Sequence, residues 1–451
     1  MGARHLAVVA GLLVALAGPP APAAAAVCGA PVPSTSQPGY VVADPGCDLD
    51  GTPFTALAGA RVRTGIAAGA AYRIEVPDAW NGGLVVFAHG YRGTGTTVYV
   101  DNPELRAEYV ARGYAWAASS YATNGYDVGQ GVRDSVALID RFRRVTGVRP
   151  RSVIMSGKSM GGHITAVAIE EHPGVFAGAM PYCGVLGDTA LYDYFLDAGV
   201  TAAALAGVDI EFPLHPDAGY EQRWQAQVER IVPALGLPTG STPAGRTWSA
   251  VLERRSGGER PGFAGAFAYW NAQSYGDLPF LFGLYPGLSG GTGGIAPGNV
   301  TDNRHTVYRS TDRWWPTRAE WRLNRDVLRV RRTATADPGL AGIPGIDGRP
   351  RIPVLSLHDI GDLFVPFSME QEYAARGGLF VSRAIRGVGH CDFTQPELTE
   401  AFDDLVRWIR TGHRAGGDAV LDRRAVADPA FGCRWTRGTH PGFSAPDCPE
   451  A

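Results

Sequence analysis

The chain has 451 residues, 45% hydrophobic and 19% charged, a composition that suits a globular protein with a sizeable core and excludes a disordered or fibrous one. Its formal net charge of -3 is nearly neutral and shows no basic stripe, which excludes nucleic acid as a partner. Beyond the N-terminus no apolar run reaches the roughly 18 residues of a membrane span, and no repeat or metal-ligand spacing occurs, so neither a metal nor a cofactor is expected.

In chain order, residues 1–26 read as an export signal, with Arg4 in the leading segment, an apolar core from Leu6 to Ala17 and small residues at Ala24-Ala25-Ala26 for cleavage. The mature chain is expected to begin near Val27 and to be secreted, extracellular or periplasmic. A lipoprotein signal wants a small residue before its cysteine, and Val27 precedes Cys28, so no membrane anchor is expected. Six cysteines in an oxidising compartment predict three disulfides. Proximity suggests Cys28 with Cys47 and Cys433 with Cys448, which leaves Cys183 and Cys391; other pairings stay formally open.

Residues 27–70, rich in Gly, Pro and Ala, predict a lead-in strand layer tied by the first disulfide. Residues 72–76 alternate as a strand does, and residues 84–88 form a second apolar run that ends at His89-Gly90. After the strand at 114–120 comes a helix whose Val132, Val136, Ile139 and Phe142 recur at helical spacing. The run from Ser152 enters Gly157-Lys158-Ser159-Met160-Gly161 and leaves as a helix. Strands alternating with helices predict an α/β chain with a mostly parallel, doubly wound sheet.

Between residues 186 and 349 the alternation disappears. Gly and Pro runs, scattered helical stretches and Trp224, Trp248, Trp270, Trp314, Trp315 and Trp321 take its place, as expected of an inserted cap domain. Ligand pockets are lined by aromatic and apolar groups, so Trp270, Trp314 and Trp315 are expected to face a cleft. Arg254, with Arg255 and Arg260, is a candidate anchor for a substrate carboxylate. The run at 352–358 then breaks into Asp359-Ile-Gly-Asp362-Leu-Phe-Val365-Pro366, and the run at 379–385 ends in Arg386-Gly-Val-Gly-His390-Cys391. A last helix at 397–409 places Leu398, Phe402, Leu405 and Ile409 on one face, and residues 413–451 form a disulfide-tied tail.

A G-x-S-x-G between strand and helix is a nucleophile elbow: a sharp turn lifts the serine hydroxyl out of the junction, and flanking glycines let backbone pass close by. The order Ser, Asp, His, each just past a strand, resembles the α/β-hydrolase superfamily over roughly residues 70–185 and 350–412. The resemblance implies an α/β-hydrolase fold with an inserted cap, Ser159 as nucleophile, His390 as base and Asp362 as acid. His89-Gly90 is similar to the superfamily's turn after its third strand, so the oxyanion donors would be the backbone N–H groups of Tyr91 and Met160. His358 competes with His390 but sits inside a strand end, which suits a packed histidine. Asp359 competes with Asp362; the superfamily's turn reads His-Gly-x-x-Asp-x-x-Val-Pro, so Asp362 matches the acid and Asp359 stands where glycine is usual. Lys158, the single lysine of the chain, is expected in a structural ion pair or in solvent.

These residues predict a serine hydrolase acting on a small-molecule carboxylic ester of a hydrophobic or aromatic acyl group. An amidase of the phthalyl type or a prolyl-type peptidase is the enzymatic alternative, and a non-catalytic binding module that keeps the fold is the alternative of another class.

Overall fold

The computed structural model describes residues 28–214, 216–289, 295–296, 298–334, 343–446 and 448. The expected export signal at 1–26 lies outside them. Eight strands make the central sheet: β1 (Ala60–Ala67), β2 (Ala70–Pro77), β3 (Gly83–Ala88), β4 (Ala115–Ser119), β5 (Ser152–Lys158), β6 (Gly178–Tyr182), β7 (Val354–Asp359) and β8 (Phe380–Ile385). Their spatial order is β1-β2-β4-β3-β5-β6-β7-β8. Only the β1–β2 and β2–β4 pairings are antiparallel; every other neighbour is parallel.

Parallel pairing requires crossovers, and these supply α1 (Arg106–Ala111), α2 (Val128–Thr146) and α3 (Met160–Glu171). The continuous apolar runs of β3 to β8 follow, because both faces of such a sheet are covered. Leu84, Val86 and Ala88 of β3 join one hydrophobic cluster with α2 and α3, whereas Val85 and Phe87 join a second with Trp116 and the last long helix. Alternation along one strand therefore feeds two cores. α2 starts at Asp127, whose side chain accepts the Gln130 N–H, and stops at Gly147 in the left-handed conformation.

Between β6 and β7 lie α4 (Ala190–Ala206), α5 (Tyr220–Leu235), α6 (Pro243–Arg255), α7 (Phe263–Ala272), α8 (Phe280–Leu284) and α9 (Arg318–Asp326). Two of the tryptophans build the core of this insertion. Trp224 stacks on Tyr285 at 4.3 Å between ring centroids and donates its indole N–H to the Phe282 carbonyl, and Trp248 donates to the Ala198 carbonyl. A buried indole needs such a partner.

The rest of the chain is α10 (Ser368–Arg376), α11 (Gln395–Thr411) and α12 (Arg423–Val426). α11 packs on β6 and β7, and a reciprocal Thr394–Glu397 capping box starts it. The two sheet edges are protected differently. β1 is half exposed and carries Arg61 and Arg63, charges that discourage edge pairing. β8 is buried because the C-terminal segment covers it: the Asp418 N–H bonds the Ser382 carbonyl, the Asp418 carboxylate accepts the Ala384 N–H, and the Arg383 guanidinium lies 3.6 Å over Trp435. The tail is thus part of the sheet's cover as well as a disulfide-tied segment.

A close backbone approach joins β3 to α3. A Cβ placed on Gly161 would sit 2.1 Å from the Ala88 carbonyl oxygen, a rigid group that cannot yield as a side-chain tip does. Gly161→Ala is therefore expected to cost about 3 kcal/mol, the upper range for overpacking, read as a lower denaturation midpoint. An unchanged midpoint would show that β3 and α3 part without cost.

Candidate active site

β5 delivers its last residue, Lys158, to a turn where Ser159 takes φ 56° and ψ -122° before α3 begins at Met160. Positive φ is rare for a residue with a Cβ and persists only where the surroundings impose it. Here the Ser159 N–H donates to the Tyr182 carbonyl at 3.1 Å and the Ser159 carbonyl accepts the Gly162 N–H at 2.9 Å. Gly157 is required on the other side, because a Cβ there would lie 2.2 Å from the Gly161 carbonyl oxygen.

Ser159 Oγ lies 2.8 Å from His390 Nε2, and His390 Nδ1 lies 2.6 Å from Asp362 Oδ2. The carboxylate can only accept, so Nδ1–H donates to it, and Nε2 is left to accept the serine proton. The other oxygen of Asp362 accepts the N–H groups of Phe364 at 2.8 Å and Val365 at 3.1 Å. Asp362 is fully buried, and His390 is slightly exposed.

The strand order, with the elbow after β5 and the acid after β7, decides the architecture. This is an α/β-hydrolase fold.

No family model matches the chain. One stretch of 106 residues is 30% identical to an o-phthalyl amidase of Xanthobacter agilis, covering 22% of this chain and 22% of that enzyme. Among solved structures, the chain resembles a feruloyl esterase B from Aspergillus oryzae (12% identity, 88% of this chain and 89% of that one, TM-score 0.40). It also resembles a serine hydrolase from the polyaromatic-hydrocarbon-degrading bacterium Cycloclasticus zankles (13% identity, 78% and 99%, TM-score 0.35). The fold rests on topology and the elbow, not on these distant likenesses.

Of the competing residues, Asp359 accepts the Asp392 N–H at 2.9 Å and makes no bond to His390. Burial, then the neighbouring Asp362 charge, push its carboxyl well above the usual carboxylate range. His358 lies in the core, 2.7 Å from the Val365 carbonyl and 3.3 Å from Glu370. Burial acts to lower its pKa, but Glu370 outweighs it and the pKa is raised. Lys158 pairs with Glu104, which also accepts the Tyr182 hydroxyl at 2.5 Å.

Gly90 lies against the elbow, where a Cβ would come 3.1 Å from the Ser159 Cβ. Met160 is the first residue of α3, so its N–H belongs to the first-turn donors without an intrahelical acceptor. Tyr91 lines the same pocket as Ser159. The preceding turn is fixed by His89, which stacks on Tyr121 at 3.9 Å and holds the Gly90 carbonyl at 2.7 Å.

The pocket beside Ser159 is walled by Tyr91, Tyr126, Val185, Leu191, Tyr192, Phe195, Ile295, Phe364 and Val365, and encloses about 20 Å³, space for one water. Its aromatic wall is tyrosine and phenylalanine, which corrects the expectation of tryptophan. Trp270 stands one layer back: its indole N–H bonds the Gly361 and Val388 carbonyls at 3.1 and 2.9 Å, and its ring backs Phe364 at 6.4 Å. Trp314 and Trp315 are 86% and 75% exposed, away from the pocket. Arg254 is paired with Asp312 and Arg255 with Asp197, while Arg260 donates to the Ile360 carbonyl; none lines the pocket. Leu191, Tyr192 and Phe195 of α4 supply part of this wall and were not singled out by the sequence.

The larger grooves lie elsewhere; one of about 560 Å³ runs along the outer edge of β8 beside the C-terminal segment. Among the described residues, Cys183, His390 and Cys391 are the one His/Cys/Asp/Glu group close enough to hold a metal, but both sulfurs are consumed in a disulfide.

The structure joins Cys28 to Cys47, Cys183 to Cys391 and Cys433 to Cys448. The second bridge closes 208 residues and ends beside His390, whereas the third closes 15. Loop entropy then assigns about 5 kcal/mol to the second and about 3 kcal/mol to the third. Thermal denaturation of Cys183→Ala/Cys391→Ala against Cys433→Ala/Cys448→Ala is expected to follow that order, and the reverse order would show that loop length does not govern these bridges.

Proposed function

We propose that this protein is a serine hydrolase that cleaves carboxylic esters of neutral, hydrophobic acyl groups through an acyl-enzyme. The observation that carries the reading is the unbroken chain of hydrogen bonds from Ser159 Oγ through His390 to Asp362, with the hydroxyl raised on an elbow into an apolar pocket. Neutral His390 takes the Ser159 proton as Oγ attacks the acyl carbon, and the imidazolium then protonates the leaving alcohol. Asp362, held in place by two backbone N–H groups, keeps the proton on Nδ1 and steadies the imidazolium. The N–H groups of Tyr91 and Met160 meet the charge that forms on the carbonyl oxygen. Water, activated by His390, then releases the acid.

The insertion between β6 and β7 is read as a cap, residues 186–349, set over the C-terminal edge of the sheet where ligands of open α/β folds bind. Three disulfides support secretion into an oxidising compartment.

The stretch shared with the phthalyl amidase favours a second reading, cleavage of an amide. Amides and esters share the acyl-enzyme, so the residues above serve both. The pocket does argue about the acyl group. No cation lines it among the described residues, and a second carboxylate on the acyl group, as in phthalyl, would be buried there unpaired at a cost of several kcal/mol.

A fluorophosphonate probe is expected to label wild-type protein on Ser159, and Ser159→Ala should lose labelling together with roughly 10⁴ to 10⁶-fold in kcat. Asp362→Asn should cost far more activity than Asp359→Asn; the opposite ranking would transfer the acid's role. A folded protein that resists the probe would be a binding module and not an enzyme.

The acyl pocket generates its own test. Phe195→Ala opens a pocket that as it stands has space for one water, and should raise kcat/KM for benzoyl relative to acetyl esters about tenfold. A carboxylate in the para position of the benzoyl ester should lower kcat/KM at least tenfold relative to a para methyl group. Equal rates for the two would refute the neutral pocket.

A further inference from the structure

Three tryptophans of the insertion have no part in its core or in the pocket. Trp314, Trp315 and Trp321 are 86%, 75% and 62% exposed. A fully wetted indole is costly, and a group of them on one short loop-and-helix segment marks an interaction surface. The display is built. One buried carboxylate, Glu320, accepts the N–H groups of Ser310 at 2.7 Å, Thr311 at 2.9 Å and Thr317 at 2.6 Å, so both ends of the loop that carries Trp314 and Trp315 are tied to the first turn of α9. Burial works against this carboxylate's charge, but these N–H donors prevail and hold its pKa down at about 2.

The surface is also cationic. Arg313, Arg318 and Arg322 are exposed, and among the described residues no carboxylate lies within ion-pair distance of them. The two nearby exposed acids are already matched, Asp312 by Arg254 and Asp326 by Arg325. On α9 the positions of Arg318, Trp321, Arg322 and Arg325 recur at three and four residues, which places them on one helical face. Val307, 64% exposed, flanks that helix, because Tyr308 and Asn324 exchange hydrogen bonds at 2.8 Å.

We propose that this tryptophan and arginine surface docks the protein on an anionic phospholipid bilayer. Indole rings settle at the boundary between headgroups and acyl chains, and guanidinium groups bind phosphate through two parallel hydrogen bonds. A second copy of the chain is a poorer occupant, since a two-fold contact would bring the unpaired arginines against one another.

Vesicle flotation tests it with the full mature chain. Wild-type protein should float with phosphatidylcholine vesicles containing about 30% phosphatidylglycerol, stay behind with phosphatidylcholine alone, and be released at about 0.5 M salt, where charges are screened beyond about 4 Å. Arg313→Glu/Arg318→Glu/Arg322→Glu should weaken partitioning at least about tenfold, since each basic residue near such a surface contributes roughly a fivefold factor. Trp314→Ala/Trp315→Ala/Trp321→Ala should weaken it comparably, and both triple variants should keep the wild-type thermal midpoint. Wild-type protein that ignores the anionic vesicles, or folded variants that float as well as wild type, would overturn the proposal. So would a dimer in sedimentation that both variants abolish in the absence of vesicle binding, because the surface would then belong to a second copy.

Discussion

His390 is the residue on which the site depends, and it stands in a loop with no regular structure of its own. Ordering each residue of such a loop costs about 1–2 kcal/mol, so the geometry persists only because several anchors converge. Cys391 is bridged to Cys183, at the end of the strand beside the elbow. The next residue, Asp392, gives its N–H to Asp359 at the end of β7. Upstream, Gly361 donates to the Gly387 carbonyl, and the Trp270 indole clasps the Gly361 and Val388 carbonyls together. Phe364 closes the arrangement, edge-on to the imidazole at 4.9 Å. Every anchor ties the histidine loop either to the acid turn or to the strand after the serine, so the three residues move as one body. Cys391 sits at φ 61° within it, a conformation that this many restraints can hold.

Two aspartates three residues apart at the end of one strand raise a charge problem, and their partners resolve it. Asp362 receives two backbone N–H groups and the imidazole N–H; Asp359 receives a single N–H. Like charges that close cannot both ionise cheaply, and the fully buried Asp359, with fewer donors, has its pKa driven well up. The carboxyl at the usual glycine position adds a hydrogen-bond acceptor for the histidine loop. Its raised pKa has a cost: the folded protein holds this proton more tightly than the unfolded chain does, so its contribution to stability falls as pH rises above the unfolded carboxylate value.

The geometry that brings Ser159, Asp362 and His390 together was legible in the sequence because it depends on local spacing. A glycine two residues either side of Ser159 has one steric explanation, the backbone contacts at 2.2 and 2.1 Å that a Cβ would make, and strand-ending turns announce Asp362 and His390 in the same way. The pocket was not legible, because tryptophan composition counts rings without saying which way they face. Trp224 and Trp248 turn inward, Trp270 backs the acid turn, and Trp314, Trp315 and Trp321 turn to solvent. Three residues that do wall the pocket, Leu191, Tyr192 and Phe195, come from α4, a helix buried on nearly every side. Without a polar face it offers no periodicity by which one side could be assigned to a ligand.

α4 also shows why the insertion cannot be separated from the site. Its Leu191, Tyr192 and Phe195 face the pocket, while Asp197, two residues on and fully buried, takes the Arg255 guanidinium at 2.6 Å and the Tyr308 hydroxyl at 2.5 Å. Burial raises the Asp197 carboxyl pKa, and Arg255 and the Tyr308 hydroxyl oppose the shift without cancelling it, so both partners are needed in place, on α6 and on the segment before α9. A buried ion pair adds little stability but is costly to break, which makes it a device for fixing one arrangement over others. Tyr192 adds a second tie, its hydroxyl on the Ile295 carbonyl at 3.0 Å, and Ile295 itself lines the pocket. The walls around Ser159 are thus set by polar contacts that reach across the insertion, and a change at Arg255 or Tyr308 acts on the shape of the pocket through the position of α4.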